Sequence, residues 1–587
     1  MSHIPSHRLN TLLMPVGITP GRSSPSPVSP NPPAEADTAR TSSPDADNAA
    51  TFNQKSRSAQ VLQASLVLAL SLLRNNIPVR IIEKQPHLRT PGQRGSGIQP
   101  RTLEHYHFLG ILPAILAQGG RAGTFQLHTA PEGDAPIKMF DMHEMLEATP
   151  DRPFINPVVL GQQPHEAILR DVLQLEYNTQ IELGVELLSL SQDSSKVTVK
   201  LSKSTGEIEE AEYDYVVGAD GAHSVVRKEL GCTFLGETRE GDRFVIGDIY
   251  VKSGLEGRFC RSWGTNADRQ INLLTFEKHT DRYTFICGGK NLDYDTMSSN
   301  REAWIQTFQD VTGRRDVEFG DVIWMGVWRA NIRMADKFGE GRVFIVGDAA
   351  HVHPPTGAQG MNSSVQDSIN LSWKLTLVLR HLSPTSLLTS YTAERLPVIA
   401  SMLGKTTDLL NSTYKTDTLG RGFELRQFGV NYRGSSIVLS GGEEGGDGVD
   451  PYRSGLDGVL KAGDRAPDAP NLQVQGEETS FSLFGVFKPT HHTILVFTPS
   501  PGVSLDLSLQ KDVVKTLVIY PRDGDAEREG VVDTAGYAYK HYGFGVDGEK
   551  GQEKGGVVIV RPDGYVGAIL RGEVEEGVKR YFGKVFL

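Results

Sequence analysis

Two periodicities of apolar residues divide this chain into elements. Residues 65–74 carry Leu66, Val67, Leu68, Leu70, Leu72 and Leu73 with little interruption and predict an apolar helix. A strand pattern at 77–83 follows and ends on an acid, Glu83. A helix opens at Gln162, with Glu166 placed favourably in its first turn. Residues 178–217 read as a strand set, alternating at period two over 196–201, and lead into a strand–turn–helix unit at 215–227. Alternating segments such as 243–251 and 282–287 predict a mainly antiparallel sheet between 234 and 326. A second strand–turn–helix unit joins a buried strand at 342–346, a Gly/Pro-rich stretch, and an apolar-periodic segment at 363–379. Strands at 493–497 and 556–560 belong to a separate C-terminal module.

Composition bounds what such a chain does. At 587 residues it needs two to four domains. With 38% hydrophobic and 22% charged residues it reads as a soluble globular enzyme. A net charge of -11 argues against nucleic acid or an anionic membrane as the main partner. No apolar run reaches the roughly 18–20 residues that span a bilayer. Cys232, Cys260 and Cys287 are widely spaced without a CxxC pattern, which suits reduced structural thiols in a cytoplasmic-type compartment. Residues 1–60 are rich in Pro, Ser, Ala and Thr and read as a disordered extension, with a faint transit-peptide character that keeps a mitochondrial destination open.

The chemistry concentrates between Gly347 and Asn362. Asp348 follows the strand end and can accept hydrogen bonds from a sugar hydroxyl, while Gly357 and Gly360 let the backbone approach a flat ligand. The helix start near Asn362 presents free N–H groups to negative charge. His351 and His353 alone, without a carboxylate cluster, do not make a metal site.

This run, Gly347-Asp348-Ala349-Ala350-His351 with the loop to Asn362, resembles the GD box and flavin loop of the FAD-dependent aromatic hydroxylases. That is the phenol hydroxylase and p-hydroxybenzoate hydroxylase family. The unit Gly218-Ala219-Asp220-Gly221 through Arg227 resembles the family's DG box. The resemblance assigns FAD contacts to Glu83, Arg94, Gln162, Asp220, Gly221 and Asp348, and to the loop residues Pro354, Gly357, Ala358, Gln359, Gly360, Met361 and Asn362. Ser96 stands where the phenol hydroxylase branch has an acidic residue, so no general base is visible there.

The implied fold is α/β. A Rossmann-like FAD-binding domain at 61–440 (about 61–233 and 327–440) is interleaved with an antiparallel substrate sheet at about 234–326. A linker at 441–455 and a thioredoxin-like domain at 456–587 follow. Tyr283, Trp263, Phe276 and Met325 are candidates both for the substrate pocket and for the core. The C-terminal module has no cysteine, so packing and subunit contact, as in a homodimer, are the jobs left to it. The implied activity is NAD(P)H-consuming hydroxylation of a phenolic or other aromatic substrate with O2, through a flavin C4a-hydroperoxide. Epoxidation or Baeyer–Villiger insertion is the alternative on the same scaffold.

One stretch departs from the family. Counting back from the first helix, Gln60, Leu62 and Ser65 hold the three positions of the glycine motif, and the strand before them, 54–59, is polar. Side chains there obstruct the tight turn and the approach of a pyrophosphate. A mis-assigned exon boundary, a weakly binding variant and a non-catalytic copy compete as explanations. The intact later motifs favour the first.

Overall fold

The computed structural model describes residues 11–15, 61–88, 95–131, 133, 135–276, 281–354, 357–416, 422–439, 450–452, 458–498, 511–522, 530–545 and 555–587. A six-stranded sheet organises the first half. Its order is Gly339–Glu340, Val343–Ile345, Tyr215–Ala219, Thr11–Pro15, Val79–Glu83, Ile181–Leu183. All its pairings are parallel except the edge hairpin of Gly339–Glu340 with Val343–Ile345.

The central position belongs to Thr11–Pro15, here called β1, whose Leu13 pairs with Val217 on one side and Ile81 on the other. This corrects the expectation that residues 1–60 are disordered throughout. A parallel strand with neighbours on both edges is buried on both faces, so it must be apolar. The run Thr-Leu-Leu-Met-Pro meets that condition and the polar run at 54–59, which lies outside the described residues, does not.

The first helix, α1, spans Val61–Arg74 and the second strand, β2, spans Val79–Glu83. Helix α1 packs on the helix Gly360–Leu379 through small residues. Ser368 Oγ donates to the Ala64 carbonyl at 2.8 Å, and Ser71 Oγ donates to Ser372 Oγ at 2.8 Å. The close approach this allows makes both helices almost wholly buried.

The inserted sheet has eight strands and is larger than the segment 234–326. Thr124–His128 and Pro136–Asp141 extend it at one edge, and His351–Val352, inside the GD box, closes the other. Its long pair, Phe234–Ser253 with Glu318–Ala335, runs through several register shifts. The helix Arg301–Thr312 covers one face, packing its Trp304 and Phe308 into a cluster with Trp263, Tyr283, Phe285 and Met325. Trp263, Tyr283 and Met325 are therefore core residues on the helix side. Phe276 belongs instead to a small apolar group with Phe125, Phe140, Cys260, Leu274 and Ile286.

The C-terminal module is a seven-stranded mixed sheet. His492–Phe497 pairs in parallel with Val514–Tyr520 and antiparallel with Gly556–Val560, the strand arrangement of a thioredoxin-like fold. It docks through buried charges. Glu394 accepts from Arg561 Nη1 at 2.7 Å and Lys374 Nζ at 2.8 Å, and Glu104 accepts from Arg465 Nε at 2.8 Å. Among the described residues no helix is long and apolar enough to cross a membrane.

Candidate FAD site

Three turns meet at the carboxyl ends of the parallel strands, where an open α/β sheet binds its ligand. The first is the end of β2. Glu83 is buried there, and its Oε1 accepts the Gln85 N–H at 3.0 Å.

The second is the DG turn. Gly221 has φ +71°, a left-handed conformation that a side chain would strain. The buried Asp220 carboxylate accepts the Ser224 hydroxyl and the N–H groups of Val225 at 2.5 Å and Val226 at 3.1 Å. Asp220 thus caps the short helix Val225–Glu229. Burial pushes its carboxyl up, against the opposing effect of those hydrogen bonds. Ser224 Oγ accepts the Arg227 N–H at 2.9 Å, as a cap should. Arg227 then ties the DG turn to the GD turn, donating to Ala349 O and to Ala222 O, each at 2.8 Å.

The third is the GD turn with its loop. Gly347 has φ +59°, and a Cβ there would meet Ser364 Oγ at 2.8 Å. Asp348 is buried beside it. Gly357 at φ +86° and Ala358 at φ +53° bend the loop. The helix then begins at Gly360, two residues before the expected start near Asn362. Asn362 clamps the loop, since its Nδ2 donates to Gly97 O at 2.8 Å and Ala358 O at 2.7 Å, and its Oδ1 accepts the Gln99 N–H at 2.8 Å.

Gln359 is wholly buried and its side chain is already engaged. Nε2 donates to Gly357 O and Leu425 O, each at 2.9 Å, and Oε1 accepts from Gln427 Nε2 at 2.8 Å and Tyr452 OH at 2.5 Å. Its backbone alone is left for a cofactor. Pro354 in the loop and Met361 in the first turn of the helix are both buried. Arg94 lies outside the described residues.

Gln162 opens the helix Gln162–Tyr177, and its Nε2 donates to Glu166 Oε1 at 2.7 Å, so Glu166 sits one turn in rather than in the first turn. The more telling neighbour is His165. Its Nδ1 lies 3.2 Å from Gln63 Nε2 on α1, and its Nε2 lies 2.8 Å from Tyr106 OH. Tyr106 OH in turn reaches Met361 Sδ at 3.9 Å. A buried polar chain therefore links the start of α1 to the flavin loop. Burial pulls the His165 imidazole down to about 4, so it is neutral near pH 7. Gln63, Tyr106 and His165 were not singled out from the sequence. The signal was His165 at the fourth position of a helix beginning Gln-Gln-Pro.

These turns fit a dinucleotide in most respects. A glycine cradle, three buried acids (Glu83, Asp220 and Asp348) and a helix start converge there. His351 Nδ1 and His353 Nε2 are buried without a hydrogen-bond partner among the described residues. The turn preceding α1 lies outside the described residues, and Gln63 and Ser65 in its first turns are wholly buried.

The fold and site define a flavoprotein of the dinucleotide-binding type with an inserted sheet. Residues 64–406 match the family described as FAD binding domain, and residues 472–587 match the phenol hydroxylase C-terminal dimerisation domain. The chain belongs to this family of FAD-dependent aromatic hydroxylases, and FAD is the cofactor of the domain it matches. A flavin-dependent monooxygenase of Mycobacteroides abscessus is 35% identical over 468 residues, covering 78% of this chain and 93% of that one. Pentachlorophenol 4-monooxygenase of Sphingobium chlorophenolicum is 26% identical over 534 residues, covering 86% and 91%. Aklavinone-11 hydroxylase, solved in a ternary complex with FAD and aklavinone, shares the fold with TM-score 0.74 at 21% identity, covering 99% and 100%. The family match begins at Ala64, just inside α1, and so leaves out β1 and the turn that follows it.

Proposed function

We propose that the chain is an NAD(P)H-consuming monooxygenase that hydroxylates a phenolic or other aromatic ring. The observation that carries this reading is the convergence of the β2 end, the DG turn and the GD turn with its loop, joined to an inserted sheet through His351–Val352. The relatives are named as monooxygenases. Bound FAD supplies the oxygen-activating redox chemistry. Glu83 would hold the adenosine ribose, Asp220 and Gly221 the pyrophosphate side, and Asp348 the ribityl chain. Gln162 would face the flavin side, Arg94 the phosphates, and the loop from Pro354 to Asn362 would lie along the ring. The loop suits this role, because the Asn362 and Gln359 side chains fix its backbone. The start of the helix Gly360–Leu379 would stabilise negative charge on the reduced ring. The inserted sheet would roof the site and exclude water. A homodimer built through residues 472–587 belongs to the same reading.

A second reading has one specific observation behind it. Gln60, Leu62 and Ser65 occupy the glycine positions, which would make the chain a non-catalytic copy that does not hold FAD. The visible spectrum of the purified full-length protein separates the two. Flavin bands, then phenol-dependent NADPH oxidation with labelled O2 entering the product, support the monooxygenase. A colourless protein that takes up no added FAD supports the second reading.

A further inference from the structure

Residues 391–398 lie in the helix Thr389–Thr416, which follows the flavin loop in the chain. The structure gives one of its residues a reach into the GD box. Asp367, two turns into the helix Gly360–Leu379, accepts the Gly347 N–H at 3.1 Å and lies 2.8 Å from His351 Nε2, both through Oδ2. Its Oδ1 accepts Arg395 Nε at 2.8 Å. Arg395 also donates to Ser363 O at 3.2 Å and Tyr432 OH at 3.1 Å. Asp367, His351 and Arg395 have no exposed surface.

A buried ion pair is a poor way to gain stability, because well-packed apolar residues often do as well. What it supplies is direction. The carboxylate is an acceptor only, so it orients the Gly347 N–H and a His351 Nε2–H, and leaves Nδ1 as the free ring nitrogen. Burial alone would raise the Asp367 carboxyl, but Arg395 and His351 hold it below the usual carboxylate range. Gly347 directly precedes Asp348, and His351 begins the strand that joins the GD box to the inserted sheet. Arg227 grips the same turn from the DG side at Ala349 O.

We infer that Asp367 and Arg395 are a positioning pair for the flavin, with Asp367 setting the GD turn and Arg395 holding Asp367. The inference rests on the FAD reading of this site. Neither side chain needs to touch the cofactor. Each acts through the backbone and imidazole that do the presenting.

The test compares Asp367→Asn, Arg395→Lys and Arg395→Met with the unmodified full-length protein. FAD affinity is read by flavin fluorescence, the flavin environment by its visible band shape and midpoint potential, and folding by melting with and without FAD. Tyr542→Phe, which removes a buried hydrogen bond to Pro467 O in the C-terminal module, serves as a control for lost stability outside the flavin domain. Asp367→Asn and Arg395→Met are expected to weaken FAD binding by at least about tenfold and to shift band shape and potential. Arg395→Lys keeps a charge beside Asp367 and should restore part of both. Variants that melt earlier yet bind FAD with unchanged affinity, spectrum and potential would reduce the pair to a structural one and overturn the inference. Should Asp367→Asn not fold, the Lys and Met variants decide between the same outcomes. A parent protein that binds no FAD overturns the FAD reading first and this inference with it.

Discussion

The two ends of the FAD cleft are built by opposite means. At the GD turn, strand, turn and helix follow one another within residues 343–379, and each part carries the residue its geometry demands. Gly347 and Gly357 stand at positive φ, Asn362 clamps the loop, and a buried ion pair backs it. At the other end, β1 and α1 are separated by residues 16–60, where the fold ordinarily allows a short glycine turn. Yet β1 still takes the central slot. A parallel sheet rewards any apolar segment that fills an unpaired central position, whereas a pyrophosphate turn accepts only residues without side chains. Strand replacement is therefore permissive and turn replacement is not.

The largest effect should come from breaking the permissive end at its backbone. Leu13 sits in a ladder with partners on both sides, so Leu13→Pro removes a donor from a central strand. The expected loss is several kcal/mol, on the order of a whole domain's margin, seen as failure to melt cooperatively. Unchanged melting would show that Thr11–Pro15 is not the strand that completes this sheet.

Next in size is the charged cluster behind the GD helix. Glu394→Gln leaves Lys374 without its carboxylate and Arg561 with Asp563 alone, both fully buried, at a cost of about 3–5 kcal/mol. A melting shift no larger than that of an exposed control such as Glu575→Gln would argue that the cluster is solvated in solution.

Substitutions at the two turns then compare them directly. Gly347→Ala puts a side chain at φ +59° against Ser364, costing about 1–3 kcal/mol and loosening FAD. Leu62→Gly should do the reverse for the cofactor. It costs about 1 kcal/mol of helix propensity but opens the approach to α1, so FAD affinity rises while apo stability falls. If both variants bind FAD as the parent does, the turns do not touch it.

The smallest effect is common to both ends. Burial holds His165, on the α1 side, and His353, in the flavin loop, each down to about 4. In the unfolded chain both titrate near 6.5. Between those values the unfolded state carries more protons, so stability is complete above about pH 6.5 and is lost as pH falls through about 4. Melting temperature across that window checks it, and His165→Gln should flatten the slope by up to one proton. An unaltered slope would mean that His165 is already protonated in the fold.

What was legible in the sequence follows the same divide. The DG and GD units could be read because their turn chemistry sits next to the strands and helices it joins. β1 could not, because local pattern reading looks for the strand directly before its helix and residues 16–60 intervene. The pocket side of the inserted sheet was ambiguous for another reason. Trp263, Tyr283 and Met325 are apolar on either reading, and only strand pairing decides that they face the helix Arg301–Thr312. Asp367 and Arg395 were missed as partners because they are distant in sequence. Asp367 left one trace, a charged residue inside an otherwise buried helix, whereas Arg395 sits in a half-exposed helix where charge is ordinary.

The docking of the C-terminal module bears on how this protein can be divided. Arg561 and Asp563 from that module share a single buried array with Lys374, Asn370, Trp373 and Glu394 from the flavin domain. A chain truncated before this module would open the array to solvent and strand half its charges on what had been an interior surface. The boundary drawn by family descriptions is thus not a seam along which the molecule comes apart. Flavin domain and tail should be inherited, expressed and lost together.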